Sequence, residues 1–277
     1  SMEFSSECSK NGIQPIICCD VHIVENNFFP GSLLLIASNL KGYQNLSKLI
    51  SLSFLENEHN NKPWVSFQNL IDHKEGIICL SGGIDGLFRL NYDQYGKDRF
   101  IEIERHISSI FNKNFFFEIQ RTKKNDIEEY NDFLIDYSIE KKVPLVATNE
   151  NYFLNKDYYE SHDVLLCISQ QTYVDSENRK KISNESYLKS PHEMNELFLD
   201  LPDALNNTLL LAQKCSFFLE ETKPKLPKTS LNLDENDFLK KSAQAGLIER
   251  LKSLNLSENE SQNYYNRLEF ELNIIMK

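Results

Sequence analysis

The chain has 277 residues, with 30 Lys and Arg against 41 Asp and Glu and a formal net charge of −11. Apolar residues make up 40% and charged residues 26%, a balance that suits a folded chain with a sizeable core. No apolar run approaches about 18 residues, so no membrane-spanning helix is expected. The opening SMEFSSECSK carries no basic segment followed by an apolar one, so no secretory signal is expected. The acidic balance argues against this stretch acting alone as a nucleic-acid clamp, which needs clustered Lys and Arg.

The six cysteines are Cys8, Cys18, Cys19, Cys79, Cys167 and Cys215. None forms a CxxC pair and most lie in apolar runs, so reduced thiols are expected in place of a zinc or disulfide framework.

The apolar run at residues 13–23 predicts a buried strand, and residues 33–37 predict another. After Gly42 the spacing turns helical, with Tyr43, Leu46, Leu49, Ile50 and Leu52 toward one side. Residues 76–80 predict a short strand, stopped by Ser81-Gly82-Gly83. A helix is predicted over 100–111, with Ile103, Ile107 and Ile110 inward, then a strand over 115–119. Residues 126–141 predict a helix with Tyr130, Phe133, Leu134 and Tyr137 inward, and residues 143–147 a further strand. Buried runs alternating with amphipathic helices favour an α/β fold with a largely parallel sheet, open or closed into a barrel.

From Ser190 the texture becomes helical. Ser190-Pro191-His192-Glu193 has the form of a capping box with Pro at the first helical position. Further helices are predicted over 203–214, 236–251 and 258–277, and the Pro-punctuated residues 223–228 between them predict a stiff connector. His162-Asp163 is expected near a helix N-terminus, and Arg179-Lys180-Lys181 on a solvated surface. Ser81 to Gly86 is Gly-rich after a strand but lacks the lysine of a phosphate-binding loop, so it reads as a turn.

Ten stretches in order resemble the N-terminal region of bacterial DNA polymerase III alpha subunits. They include GIQPIICCDVHI (12–23), EGIICLSGG (75–83), FFFEIQR (115–121), VPLVATNENYFL (143–154), SHDVLLCISQQTYVD (161–175) and LPDALNNTLLLAQKC (201–215). The resemblance implies an incomplete, distorted TIM-like (β/α)7 PHP barrel, α/β in class, followed by an all-helical C-terminal segment. It implies a partial PHP domain over 1–185, a helical and Pro-rich connector over 186–230, and the beginning of a polymerase palm over 231–277. A His-x-His strand and an Asp-His stretch are expected before Ser1, and the polymerase carboxylates after Lys277. The implied localisation is cytoplasmic.

PHP metal centres gather His, Asp and Glu at the ends of barrel strands. Asp20 stands where metal-competent members carry Glu, Ser32 where they carry His, and Gly83 where they carry Cys or His. Glu150 and Tyr152 stand where an Asp-x-His pair is expected. Glu118 and Arg121 match a Glu-x-x-Arg pattern, with Thr122 replacing a His. Three carboxylates survive while the nitrogen and sulfur ligands are lost, so a vestigial site is expected. The candidate metal positions are Asp20, His22 and Glu150, with His22 two residues beyond Asp20 on the same strand face.

The implied role is that of a metal-free structural PHP domain in a replicative polymerase. The implied partners are the rest of the polymerase chain, a proofreading exonuclease subunit, the sliding clamp, and DNA through the parent chain. No catalytic residue and no cofactor is expected within these residues, with Mg²⁺ serving the parent polymerase. The alternative is a metal-dependent PHP-type phosphoesterase or 3′–5′ exonuclease.

Overall fold

The computed structural model describes residues 2–55, 63–121, 128–220, 234–254 and 256–276. The chain divides into two compact units, Ser1–Glu220 and Glu221–Lys277. The connector residues 223–228, Thr122 and the start of the helix expected from Asp126 lie outside the described residues.

The first unit opens with α1 (Met2–Lys10), β1 (Cys18–Ile23) and β2 (Gly31–Ala37), followed by α2 (Leu40–Leu55) and α3 (Phe67–His73). Next come β3 (Ile77–Leu80), α4 (Leu87–Tyr95), α5 (Lys97–Phe111), β4 (Phe115–Gln120), α6 (Glu128–Lys141) and β5 (Leu145–Thr148). It closes with α7 (Tyr159–Ser169), α8 (Pro191–Leu197) and α9 (Pro202–Lys214). The second unit holds α10 (Glu235–Lys252) and α11 (Glu258–Ile275), which pack on each other. Among the described residues, no helix is long and apolar enough to cross a membrane.

The five strands form one sheet in the order β1-β2-β3-β4-β5. β3, β4 and β5 are parallel neighbours, as α/β alternation predicts, but β1 with β2 and β2 with β3 are antiparallel. The short link between β1 and β2 makes a hairpin. Two helices, α2 and α3, separate β2 from β3, so the chain returns to the sheet in the opposite sense. The sheet is therefore mixed, not largely parallel, and it runs from β1 at one end to β5 at the other.

The strand expected over 13–23 begins only at Cys18. Pro15 has no N–H to give a ladder, and Ile13 and Ile16 stay exposed. Gln14 Nε2 instead donates to the Ala212 carbonyl on α9 at 2.6 Å.

Strand alternation sorts the core into two faces. Leu33, Leu35, Ile77, Cys79, Phe115, Phe117, Leu145 and Ala147 face α2 to α6. There Phe88, Phe100, Phe115 and Phe117 form a fully buried ring cluster, with centroids 5.1 Å apart for Phe88 and Phe100. On the opposite face Ile36, Ile78, Leu80, Phe116 and Val146 are covered by Leu211 of α9 and by Cys215. All six cysteines are free thiols.

Candidate functional site

The second face changes character along its length. Register aligns Cys18, Ile36 and Ile78 in one row, and Asp20, Leu34, Leu80 and Phe116 in the next. Beyond them lie the pairs His22–Ser32, Glu118–Val146 and Gln120–Thr148. Period-two alternation thus puts Asp20, His22, Ser32, Glu118, Gln120 and Thr148 on one face, beyond the part packed against Leu211 and Cys215. Glu150 follows β5 at the same end.

Glu118 is the most deeply placed of the acids, 7% exposed. Its Oε1 accepts from Thr148 Oγ1 at 2.5 Å and from Gln120 Nε2 at 3.0 Å. Its backbone N–H donates to Ser81 Oγ at 2.9 Å. Burial pushes its carboxyl above the usual carboxylate range, the bonds from Thr148 and Gln120 pull it back, and the charges of Asp20 and Glu150 add to the rise. Partial desolvation raises Asp20 as well. Tyr152 is raised by burial first and then by Glu150, Asp85 and Asp20. Asp20 and Glu150 are thus each within electrostatic reach of Glu118.

Gln120 crosses the mouth. Its carbonyl accepts from Asn131 Nδ2 at 2.9 Å, and its side-chain nitrogen lies 3.2 Å from Thr148 Oγ1. A β-carbon built on Gly83 would stand 2.5 Å from Gln120 Oε1 and 2.6 Å from Nε2. The neighbouring Gly82 adopts φ +82°, and a β-carbon there would stand 2.7 Å from the Ser32 carbonyl. The close approach of this loop to β2 thus requires glycine at Gly82, whereas a side chain at Gly83 would have to displace the Gln120 carboxamide.

Other residues singled out by sequence have structural roles. Arg121 donates to the Leu197 carbonyl and, bidentately, to Asp200 at 2.5 and 2.7 Å, with its guanidinium over the Phe198 ring. It brackets the sheet to the α8–α9 corner. Arg179 corrects the expectation of a solvated basic cluster: its side chain is 4% exposed and grips Asp163 bidentately at 2.5 and 2.6 Å. His162 and Asp163 are the fourth and fifth residues of α7, near its N-terminus as expected, with Tyr158 as the N-cap. The Ser190 capping box forms as expected, with Glu193 closing it.

The family comparison matches the PHP domain at residues 1–122. Over its length the chain is 36% identical to DNA polymerase III subunit alpha of Caulobacter vibrioides, in an alignment covering all of this chain and 25% of the relative. The same-named proteins of Rickettsia conorii and Pasteurella multocida are 37% and 34% identical, with 99% of this chain and 24% of each relative aligned. This chain is similar, end to end, to part of the DNA polymerase III alpha subunit. It spans about a quarter of the length of these curated relatives.

PHP metal centres need several imidazole, carboxylate or thiolate donors converging on one point. Among the described residues, no three His, Cys, Asp or Glu side chains meet at metal-binding distance. Ser32 and Gly83 supply no strong donor, Glu118 Oε1 is already engaged by Thr148 and Gln120, and the space at Gly83 is taken by the Gln120 carboxamide. The residues present do not fit a PHP metal centre. Sequence reasoning singled out Glu118 but missed Gln120 and Thr148; the i, i+2 spacing of Glu118 and Gln120 was the available signal for one of them.

Proposed function

We propose that this chain is a segment of a bacterial replicative DNA polymerase, and that its PHP domain is a metal-free structural support for the polymerase core. The observation that carries this reading is the Gln120 carboxamide seated in the cradle of Gly83, beside a Glu118 whose Oε1 is already hydrogen-bonded. In this reading the Gln120 carboxamide takes the place a ligand at Gly83 would need, and Glu118 Oε1 is already engaged. Template-directed synthesis, with its Mg²⁺ and its contact to DNA, belongs in this reading to the rest of the parent chain. The domain serves as packing surface for that chain and as a dock for a separate proofreading exonuclease subunit, with the sliding clamp engaged through the parent. The setting is cytoplasmic.

The test uses the full-length polymerase subunit. Asp20→Ala and Glu150→Ala are expected to leave primer extension at the unsubstituted rate, and Mn²⁺ is expected to elicit no exonuclease activity. Metal-stimulated 3′–5′ cleavage that Asp20→Ala abolishes would overturn the proposal.

A second reading, a metal-dependent phosphoesterase, draws on the convergence of Asp20, Glu118 and Glu150 at one end of the sheet. Stoichiometric metal together with hydrolysis of a generic phosphodiester would favour it.

A further inference from the structure

Three buried polar atoms have no hydrogen-bond partner among the described residues: Glu118 Oε2, Gln120 Oε1 and the Tyr130 hydroxyl. The three residues are 7%, 7% and 6% exposed. These residues come from β4 and α6, yet all three residues line one pocket of about 20 Å³, which is walled also by the Gly82-Gly83 loop and Arg89. Buried polar atoms are nearly always satisfied, so three unsatisfied ones around a single hole point to one shared partner.

The donor and acceptor inventory identifies that partner's chemistry. A carboxylate oxygen and an amide oxygen each need a proton donor, and a phenol has one proton to give. An anion fails because two of the three atoms are acceptors. A bare cation would meet the phenolic proton and the Arg89 guanidinium, which lies 4.8 Å from the centre of the Tyr130 ring. A neutral molecule with two protons and a free lone pair meets all three demands. About 10–15 Å³ of such volume is enough for one water, and the pocket offers about 20 Å³.

We propose that this cavity is the binding site of a single buried water, donating to Glu118 Oε2 and Gln120 Oε1 and accepting from the Tyr130 hydroxyl. The water joins β4 to α6 at the mouth and holds the Gln120 carboxamide in the orientation that fills the Gly83 cradle. The inference deepens the metal-free reading without depending on it. A metal found at Asp20, His22 and Glu150, with the water still in its cavity, would defeat that reading alone.

The experiment is a crystal structure of the protein at about 1.5 Å, with a second crystal soaked in Mn²⁺. The expected result is one non-anomalous density peak at hydrogen-bond distance, about 2.7–3.2 Å, from all three oxygens. A peak with anomalous signal, an unfilled cavity, a protein side chain occupying it, or Tyr130 bonded directly to Glu118 would each overturn the proposal. Tyr130→Phe provides a second readout. Removing one of three partners is expected to abolish or markedly weaken the peak while the ring keeps its place. An undiminished peak in that variant would remove Tyr130 from the site.

Discussion

The carboxamide of Gln120 occupies the volume in which a side chain on Gly83 would begin, 2.5 Å from an ideal β-carbon there. The two residues are brought together by parallel pairing of β3 with β4. Gly83→Ala must push Gln120 off its bonds to Glu118 and Thr148, an overpacking whose usual cost is about 1–3 kcal/mol. In a Gln120→Ala background the clash disappears, so the same substitution is expected to cost less than about 0.5 kcal/mol, and the double-mutant cycle should show strong coupling. Urea denaturation of the four proteins measures this. Additive effects would contradict the packing described.

Glu118 gives the mouth a pH signature. Its carboxyl titrates above the ordinary glutamate value in the folded protein because burial disfavours the charge. The folded state therefore binds that proton more tightly than the unfolded chain. Its contribution to stability is greatest below the unfolded value and declines as pH rises through that value toward the folded one. Glu118→Gln removes this slope. The variant is expected to gain stability relative to the parent between about pH 4.5 and neutrality, as followed by denaturation at a series of pH values. A constant difference across that range would count against a buried, ionising Glu118.

Much of the fold was legible because several strands are nearly uninterrupted apolar runs. Residues 115–119 are buried at every position, and Ile103, Ile107 and Ile110 lie inward at helical spacing. Three helices escaped notice: α1 is short and polar, α3 is only seven residues long, and α4 begins after Gly86 with no side-chain cap. The strand directions were not readable, because apolar runs look alike whichever way the chain enters the sheet. At the mouth, the carboxylates could be picked out one by one. The seating of Gln120 against Gly83 could not, since it arises from strand register 37 residues apart in sequence. Arg179 was misjudged because a basic triplet looks solvated until its Asp163 partner is known.

Glu193 provides an independent check on the α8 corner. A bond from the Tyr187 hydroxyl at 2.6 Å, with further bonds from the backbone and side chain of Ser190, holds its carboxyl down to about 2. A depressed value contributes stability that is present above the ordinary carboxylate range and is lost as pH falls toward about 2. Carbon-detected NMR titration is expected to place Glu193 well below the other glutamates, and Tyr187→Phe is expected to move it upward. An unchanged titration in the variant would mean that the Tyr187 bond is not made in solution.

The central claim is that the end of the sheet bearing Asp20, His22, Glu118 and Glu150 does not hold a metal ion. Its most direct test is equilibrium dialysis against Mn²⁺ with elemental analysis, paired with anomalous diffraction from soaked crystals. The expected result is far less than one manganese per chain and no anomalous density beside Asp20, His22 or Glu150. One tightly held ion per chain, with anomalous density among those side chains, would contradict it.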